Sequence, residues 1–199
     1  MSGEILSGNR LRLRPVAQED IPTLFEWYRD PTLLSLYDGI PFSTVSFDEF
    51  RQELSFWLDN DVQFGLAGVF IMESRETDAA IGECSWMLVD RTGPDSPGIY
   101  QVGGLVGPGE LRGKGFGTEA LRLLRDYLFR ERDAHRLEAL TVAFNTGAMK
   151  TLHRNGFSRE GVLREAVLVD GEWRDRVMFS LLRREWENGA RPPSDFPAD

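Results

Sequence analysis

Between Leu111 and Leu124 the chain reads LRGKGFGTEALRLL, with Gly113, Gly115 and Gly117 each one residue apart and Arg112 and Lys114 among them. Glycines so placed weaken local structure unless another group must come close to the main chain. Successive N–H groups around glycine form a concave nest, and a following helix adds the positive end of its dipole. With two cations alongside, the group that fits is an anion, and a pyrophosphate could be held there by main chain. Two other phosphate patterns fail. A P-loop needs Gly, four residues and Gly-Lys-Ser/Thr, but Pro108 stands at the first position and Gly115 follows the lysine. The dinucleotide fingerprint is met on paper by Gly115, Gly117 and Ala120, yet it lies about ten residues beyond the preceding strand, outside the tight turn it requires. It also begins past the middle of the chain, leaving too little sequence for a doubly wound sheet. The plain alternative is a flexible loop that happens to contain three glycines.

The elements around this loop follow from periodicity. LRLRP alternates as a short opening strand, Leu11–Pro15. Ile21, Leu24, Phe25 and Tyr28 recur at helical spacing, with Asp20 as a cap and Pro31 as the stop. A second helix starts at Ser46, where S-F-D-E forms a capping box with Glu49, and Phe47, Phe50, Leu54 and Trp57 share one face. Two strands, QFGLAGVFIMES and AIGECSWMLVD, are joined by the polar turn RETD. IYQVGGLV is a strand leading into the glycine loop, and Thr118 to about Arg132 is a helix with Leu121, Leu124 and Leu128 inward. RLEALTVAF is the next strand, ending at Asn145, and a short helix after it closes at Asn155-Gly156. VLREAVLVDGEWRDRVMFSLL is a hairpin turning at Asp170-Gly171. The order β-α-α-β-β-β-α-β-α-β-β describes one mixed α/β domain over residues 1–186, with a polar tail, 187–199, expected to be disordered.

Composition narrows the function. The 199 residues contain one cysteine and two histidines, so neither a disulfide nor a thiolate or zinc site is expected, and no metal is assigned. No apolar run approaches the roughly 18 residues of a membrane span, and the N-terminus lacks an apolar signal core. These features point to the cytoplasm. A net charge of −9 argues against a nucleic-acid partner and suits a cationic small molecule or basic peptide, or simply solubility.

With Arg112 counted in, the loop reads Arg-x-x-Gly-x-Gly and resembles the acyl-CoA loop of the GNAT superfamily of N-acetyltransferases, Gln/Arg-x-x-Gly-x-Gly/Ala. RLRLRPVAQEDIPTLFEWYRDP, NTGAMKTLHRNGF and EGVLREAVLVDGEWRDRVMFSLLRREW are similar to the opening unit, the Asn…Gly-Phe element and the closing hairpin of the branch that acetylates ribosomal-protein N-termini. The resemblance covers roughly residues 9 to 186, more loosely from about 32 to 75. It implies an α+β fold with a mixed, mostly antiparallel sheet, splayed at the cofactor site and carrying helices on both faces. It implies acetyl-CoA as co-substrate and direct attack by a primary amine of a peptide N-terminus or a small metabolite or antibiotic, in a monomer or homodimer.

By position, the resemblance assigns the cofactor to Leu105 and Val106, to Arg112, Gly113, Lys114, Gly115, Phe116, Gly117 and Thr118, and to Asn145, which is equally suited to cap a helix. The family's usual acid and base positions carry Leu152, Ala148 and Gln101. Glu83, Tyr100 and His153 are the substitutes for moving protons, each with a plain alternative: Glu83 on a solvent face, His153 at the surface, Tyr100 merely orienting substrate. Cys84 could accept an acyl group but reads more simply as core. Tyr37, Phe42, Trp57 and Trp173 are the candidate acceptor walls, or ordinary core aromatics. Two rival functions stay open. One is transfer from another acyl donor, a longer acyl-CoA or an aminoacyl-tRNA, the latter favoured by a basic strip of Arg122, Arg125, Arg130, Arg132 and Arg136. The other is a non-catalytic acyl-CoA sensor or partner subunit.

Overall fold

The computed structural model describes residues 5–36, 45–57, 65–91, 93 and 96–189. Alternation in LRLRP builds β2 (Leu11–Pro15), with Leu11 and Leu13 fully buried and Arg12 and Arg14 on the opposite face; a two-residue β1 (Leu6–Ser7) pairs with it. Helices α1 (Ile21–Trp27), α2 (Pro31–Leu36) and α3 (Phe47–Trp57) follow, then β3 (Ala67–Ser74), β4 (Ala80–Asp90) and β5 (Gly98–Val106). After the glycine loop come α4 (Phe116–Glu131), β6 (Ala134–Val142), α5 (Thr146–Arg154), the hairpin β7 (Ser158–Val169) and β8 (Glu172–Leu182), and α6 (Arg183–Glu187).

Local signals explain the ends of these elements. Ser46 and Glu49 exchange the expected capping-box hydrogen bonds, Glu49 N–H to Ser46 Oγ at 3.3 Å and Ser46 N–H to Glu49 Oε2 at 2.7 Å. Asp170 and Gly171 both adopt left-handed φ, 51° and 78°, as a tight hairpin turn requires. Pro31 does more than stop a helix: it opens α2, at a position where a missing N–H costs nothing. Asp20 does not cap with its side chain. Its buried carboxylate instead accepts two hydrogen bonds from the Arg14 guanidinium, at 2.7 and 2.8 Å, and one from the Ala17 N–H. Arg14 also reaches Glu73 at 2.6 Å, while Arg12 pairs with Glu73 and Asp78, so this cluster staples β2 to β3 and to the start of α1. Burial pushes the Asp20 and Glu73 carboxyls up, but the arginines outweigh it and hold both below the ordinary carboxylate range. The division expected at 186/187 falls in the last residues of α6.

Eight strands form one sheet in the order β1-β2-β3-β4-β5-β6-β8-β7, antiparallel except for β5 and β6. One face packs on α4 and α5 through Leu124, Leu128, Phe129 and Leu152; the other packs on α1 and α3 through Ile21, Leu24, Phe25, Phe50 and Ile71. The parallel pair is joined only from Gly98 and Ala134 to Gln101 and Glu138. Beyond that point β5 continues to Val106 paired with β4 alone, and β6 continues to Val142 paired with β8 alone. The sheet therefore opens into a V, and the backbone groups that β5 turns away from β4 lose their neighbouring strand.

Candidate active site

The glycine loop leaves the tip of one arm of the V. A single 3-10 turn (Gly109–Leu111) is followed by Gly113 and Gly115 at φ 73° and 87°, values that side chains rarely adopt. Gly115 is the N-cap of α4 and supplies no side-chain acceptor; the first intrahelical N–H taken is that of Glu119, by the Gly115 carbonyl at 3.1 Å. The N–H groups of Phe116, Gly117 and Thr118 are thus presented outward from a 16-residue helix, the arrangement that holds an anion. A Cβ on Gly113 would meet nothing within 4 Å, and one on Gly117 only Val106 Cγ2 at 3.8 Å, so the cradle is open on the side of the cleft. These residues fit a pyrophosphate-bearing acyl carrier, with Lys114 exposed beside them.

Arg112 has a different place from the one its charge invites. Its Nε donates to the Val106 carbonyl at 3.0 Å, and its Nη2 to the Gly107 carbonyl at 2.6 Å and to Asp30 Oδ2 at 3.1 Å. It braces the loop from behind. The cation at the cradle itself is Arg10, which the sequence pattern does not mark: its guanidinium lies 4.0 Å over the Phe116 ring and donates to the Lys114 carbonyl at 2.8 Å. Its backbone N–H is fixed by Glu119 at 2.9 Å. Only the neighbourhood of two chain segments 100 residues apart reveals this, so no local signal could have found it.

The proton-moving candidates separate. Glu83 pairs with Leu105 across β4 and β5 and is fully buried, so the solvent-facing alternative does not hold. It shares the α1 and α3 face of the sheet with Ile71, its partner on β3, and lies beside the arm that carries the loop. Tyr100 is not brought to the cleft. Its ring is fully buried on the α4 side and its hydroxyl donates to the Arg132 carbonyl at 3.0 Å, on the closed part of the sheet, about 20 Å of strand from Val106. His153 also lies elsewhere. It is about 12 Å along α5 from Asn145, and it lines a cavity of about 710 Å³ with Arg125, Arg130 and Trp186. Cys84 is a buried thiol, pushed up by burial and by Glu83, and packs in the core against α4.

Asn145 caps α5, its Oδ1 accepting from Ala148 N–H at 3.0 Å, at the tip of the other arm of the V. Leu105 is buried and Val106 half-buried at the first arm's tip. Trp173 is 62% exposed near the hairpin turn, beyond the last β6 pairing at Arg176. Tyr37 and Phe42 lie outside the described residues, and Trp57 closes α3 with its side chain also outside them. Four of the five arginines of the basic strip are engaged with the body of the chain, and Arg122 is exposed. Arg125 donates to the Asn155 carbonyl, Arg132 to the Gly65 carbonyl, and Arg136 pairs with Glu138 and Glu160, while Arg130 lies over Trp186.

The parted mixed sheet and the open N-terminus of α4 leave room for an anion-bearing ligand at the tip of β5. The sequence agrees: a family model described as an acetyltransferase (GNAT) domain matches residues 10–158, and the chain belongs to that family. It is 33% identical over 183 residues to the uncharacterized N-acetyltransferase p20 of Bacillus licheniformis, covering 92% of this chain and 98% of that protein. A segment of 78 residues is 36% identical to the ribosomal protein uS5 alanine N-acetyltransferase of Escherichia coli, covering 39% and 40% of the two chains. The solved spermidine N-acetyltransferase of Vibrio cholerae, in complex with CoA and spermine, superposes with a TM-score of 0.77 over 91% of this chain and all of that one, at 20% identity, a likeness of fold. The protein is an N-acyltransferase with acetyl-CoA as its co-substrate.

Proposed function

We propose that the chain moves an acetyl group from acetyl-CoA to a primary amine, on a peptide N-terminus or a small cationic molecule, by direct attack within a ternary complex in the cytoplasm. The observation that carries this is the V between β5 and β6 ending at the open N–H cradle of α4. The cradle and Arg10 hold the phosphates, and the strand edge from Val102 to Val106 holds the arm that leads to the reacting carbon. Bound there, the thioester supplies the acyl group. Free N–H groups on that edge stabilise the charge that develops on its oxygen. An aliphatic ammonium titrates near 10, so the attacking amine must first lose a proton. Glu83, buried next to Leu105, takes it directly or through a water. Glu83, Gln101 and Glu138 share one face of the sheet, and with the net charge of −9 this favours a cationic acceptor.

The test is acetyl-CoA binding by calorimetry, followed by release of free thiol with peptides beginning in alanine and with spermidine, the kinds of acceptor for which relatives are named. Binding with amine-dependent thiol release supports the proposal. Binding without turnover of any amine would turn it into a sensor, and no binding by the folded chain would refute it.

A further inference from the structure

The two arms of the V are tied to the same short helix. At the start of α2, Asp30 accepts the Thr32 N–H at 2.8 Å with one oxygen and Arg112 Nη2 at 3.1 Å with the other. The same guanidinium holds the carbonyls of Val106 and Gly107, where β5 ends. Trp27, at the end of α1, lies so close to Gly107 that a Cβ there would come within 2.1 Å of its ring. At the other end of α2, the Leu36 carbonyl accepts Asn145 Nδ2 at 3.3 Å, while Asn145 Oδ1 caps α5 just past the end of β6. One side chain at each tip therefore shapes its own arm and grips α2, whose six residues span about 9 Å.

We propose that α2 is a tie across the mouth of the cleft, with Arg112 and Asn145 as positioning residues that set the gap between β5 and β6 and couple one arm to the other. The proposal rests on the reading that acetyl-CoA occupies the cleft. No ladder hydrogen bond joins β5 to β6 beyond Gln101 and Glu138, and about 16 Å of strand separates Gln101 from Val106. α4 packs against both strands from one face of the sheet, and α2 adds a second link, at the tips of the arms. An occupant that orders either arm must order α2 as well.

Hydrogen exchange with mass spectrometry on the full chain, with and without saturating acetyl-CoA, tests this. In the wild type, acetyl-CoA slows exchange both in the first turn of α4 and in α2, the latter by at least about five-fold. Asn145→Asp keeps the capping oxygen but turns the donor that faces Leu36 into an acceptor. In that variant α4 still responds while the α2 response is lost. Arg112→Lys, which cannot span three acceptors, gives the same separation from the other arm and serves if Asn145→Asp does not fold. A response in α4 with none in wild-type α2, or a variant α2 response equal to wild type, would overturn the tie and leave the acetyl-CoA reading standing. No response anywhere would overturn both.

Discussion

Gly117→Trp separates the cradle from the fold. Gly117 lies in the first turn of α4 with a conformation open to any residue, and its Cβ would make only an ordinary contact with Val106 Cγ2 at 3.8 Å. The fold can accept the indole, and tryptophan is a better helix former than glycine by a few tenths of a kcal/mol. The ring then occupies the space before the N–H groups of Phe116, Gly117 and Thr118. A hydrogen bond to a charged group contributes about 1.5–3 kcal/mol, so losing two of three removes about 3–6 kcal/mol. At 1.4 kcal/mol per factor of ten, acetyl-CoA affinity falls at least about 100-fold. Calorimetry reads the loss, and thermal unfolding shows a midpoint within a few degrees of wild type. Gly117→Ala, whose methyl ends at van der Waals contact, keeps the affinity within a few-fold. Wild-type affinity in a folded Gly117→Trp protein would refute the assignment of the cradle.

Glu83→Gln preserves shape in a fully buried position, so acetyl-CoA binds as before, while thiol release falls by about 10²–10⁴ and loses its dependence on an acidic group; an unchanged pH–rate profile would remove Glu83 as the base. Asp20 and Glu73 titrate below the ordinary carboxylate range in the folded chain, so the stability they contribute is present above their unfolded values and declines as pH falls below about 5. Arg14→Gln leaves the Asp20 carboxylate buried without its guanidinium and Glu73 with Arg12 alone, costs about 3 kcal/mol at neutral pH in urea unfolding, and lessens that acid decline. Gly107→Ala drives a methyl into the Trp27 ring and costs about 1–3 kcal/mol; in a double-mutant cycle Trp27→Ala relieves most of it.

The second half of the chain was legible because its signals are local. Asp170-Gly171 between alternating strands specifies a turn by its own φ values, and the stripe through Leu124 and Leu128 specifies the inner face of α4 without reference to anything else. The first half depended on distant partners. Asp20 precedes an apolar helix and has the look of a cap, but Arg14, six residues back, is turned onto it by the alternation of β2, and a two-bond pair with a guanidinium displaces a single capping bond to a backbone N–H. Pro31 has two meanings, stop and first turn, and only the Thr32 N–H on Asp30 decides between them.

The same distinction runs through the site. Gly113, Gly115 and Gly117 advertise a main-chain function because glycine has little other reason to recur there, and two of them do take left-handed φ in the turn that opens α4. A charged side chain carries no such address. Arg112 belongs to the motif, yet its guanidinium reaches back to the end of β5 and to Asp30; Arg10 belongs to no motif, yet stands at the cradle because β1 and β2 dock on α4 through Glu119. Glu83 could not be told from a solvent-facing strand residue until α1 and α3 were seen to cover that face, and Tyr100 could not be told from a catalytic phenol until its hydroxyl was seen bound to Arg132. Backbone chemistry is written in the residue type that permits it, whereas side-chain chemistry depends on which distant elements come to surround the group. For the proposed reaction, the motif therefore bears on how the acyl donor is held, and the acceptor depends on what α2 and the face carrying Glu83 bring together.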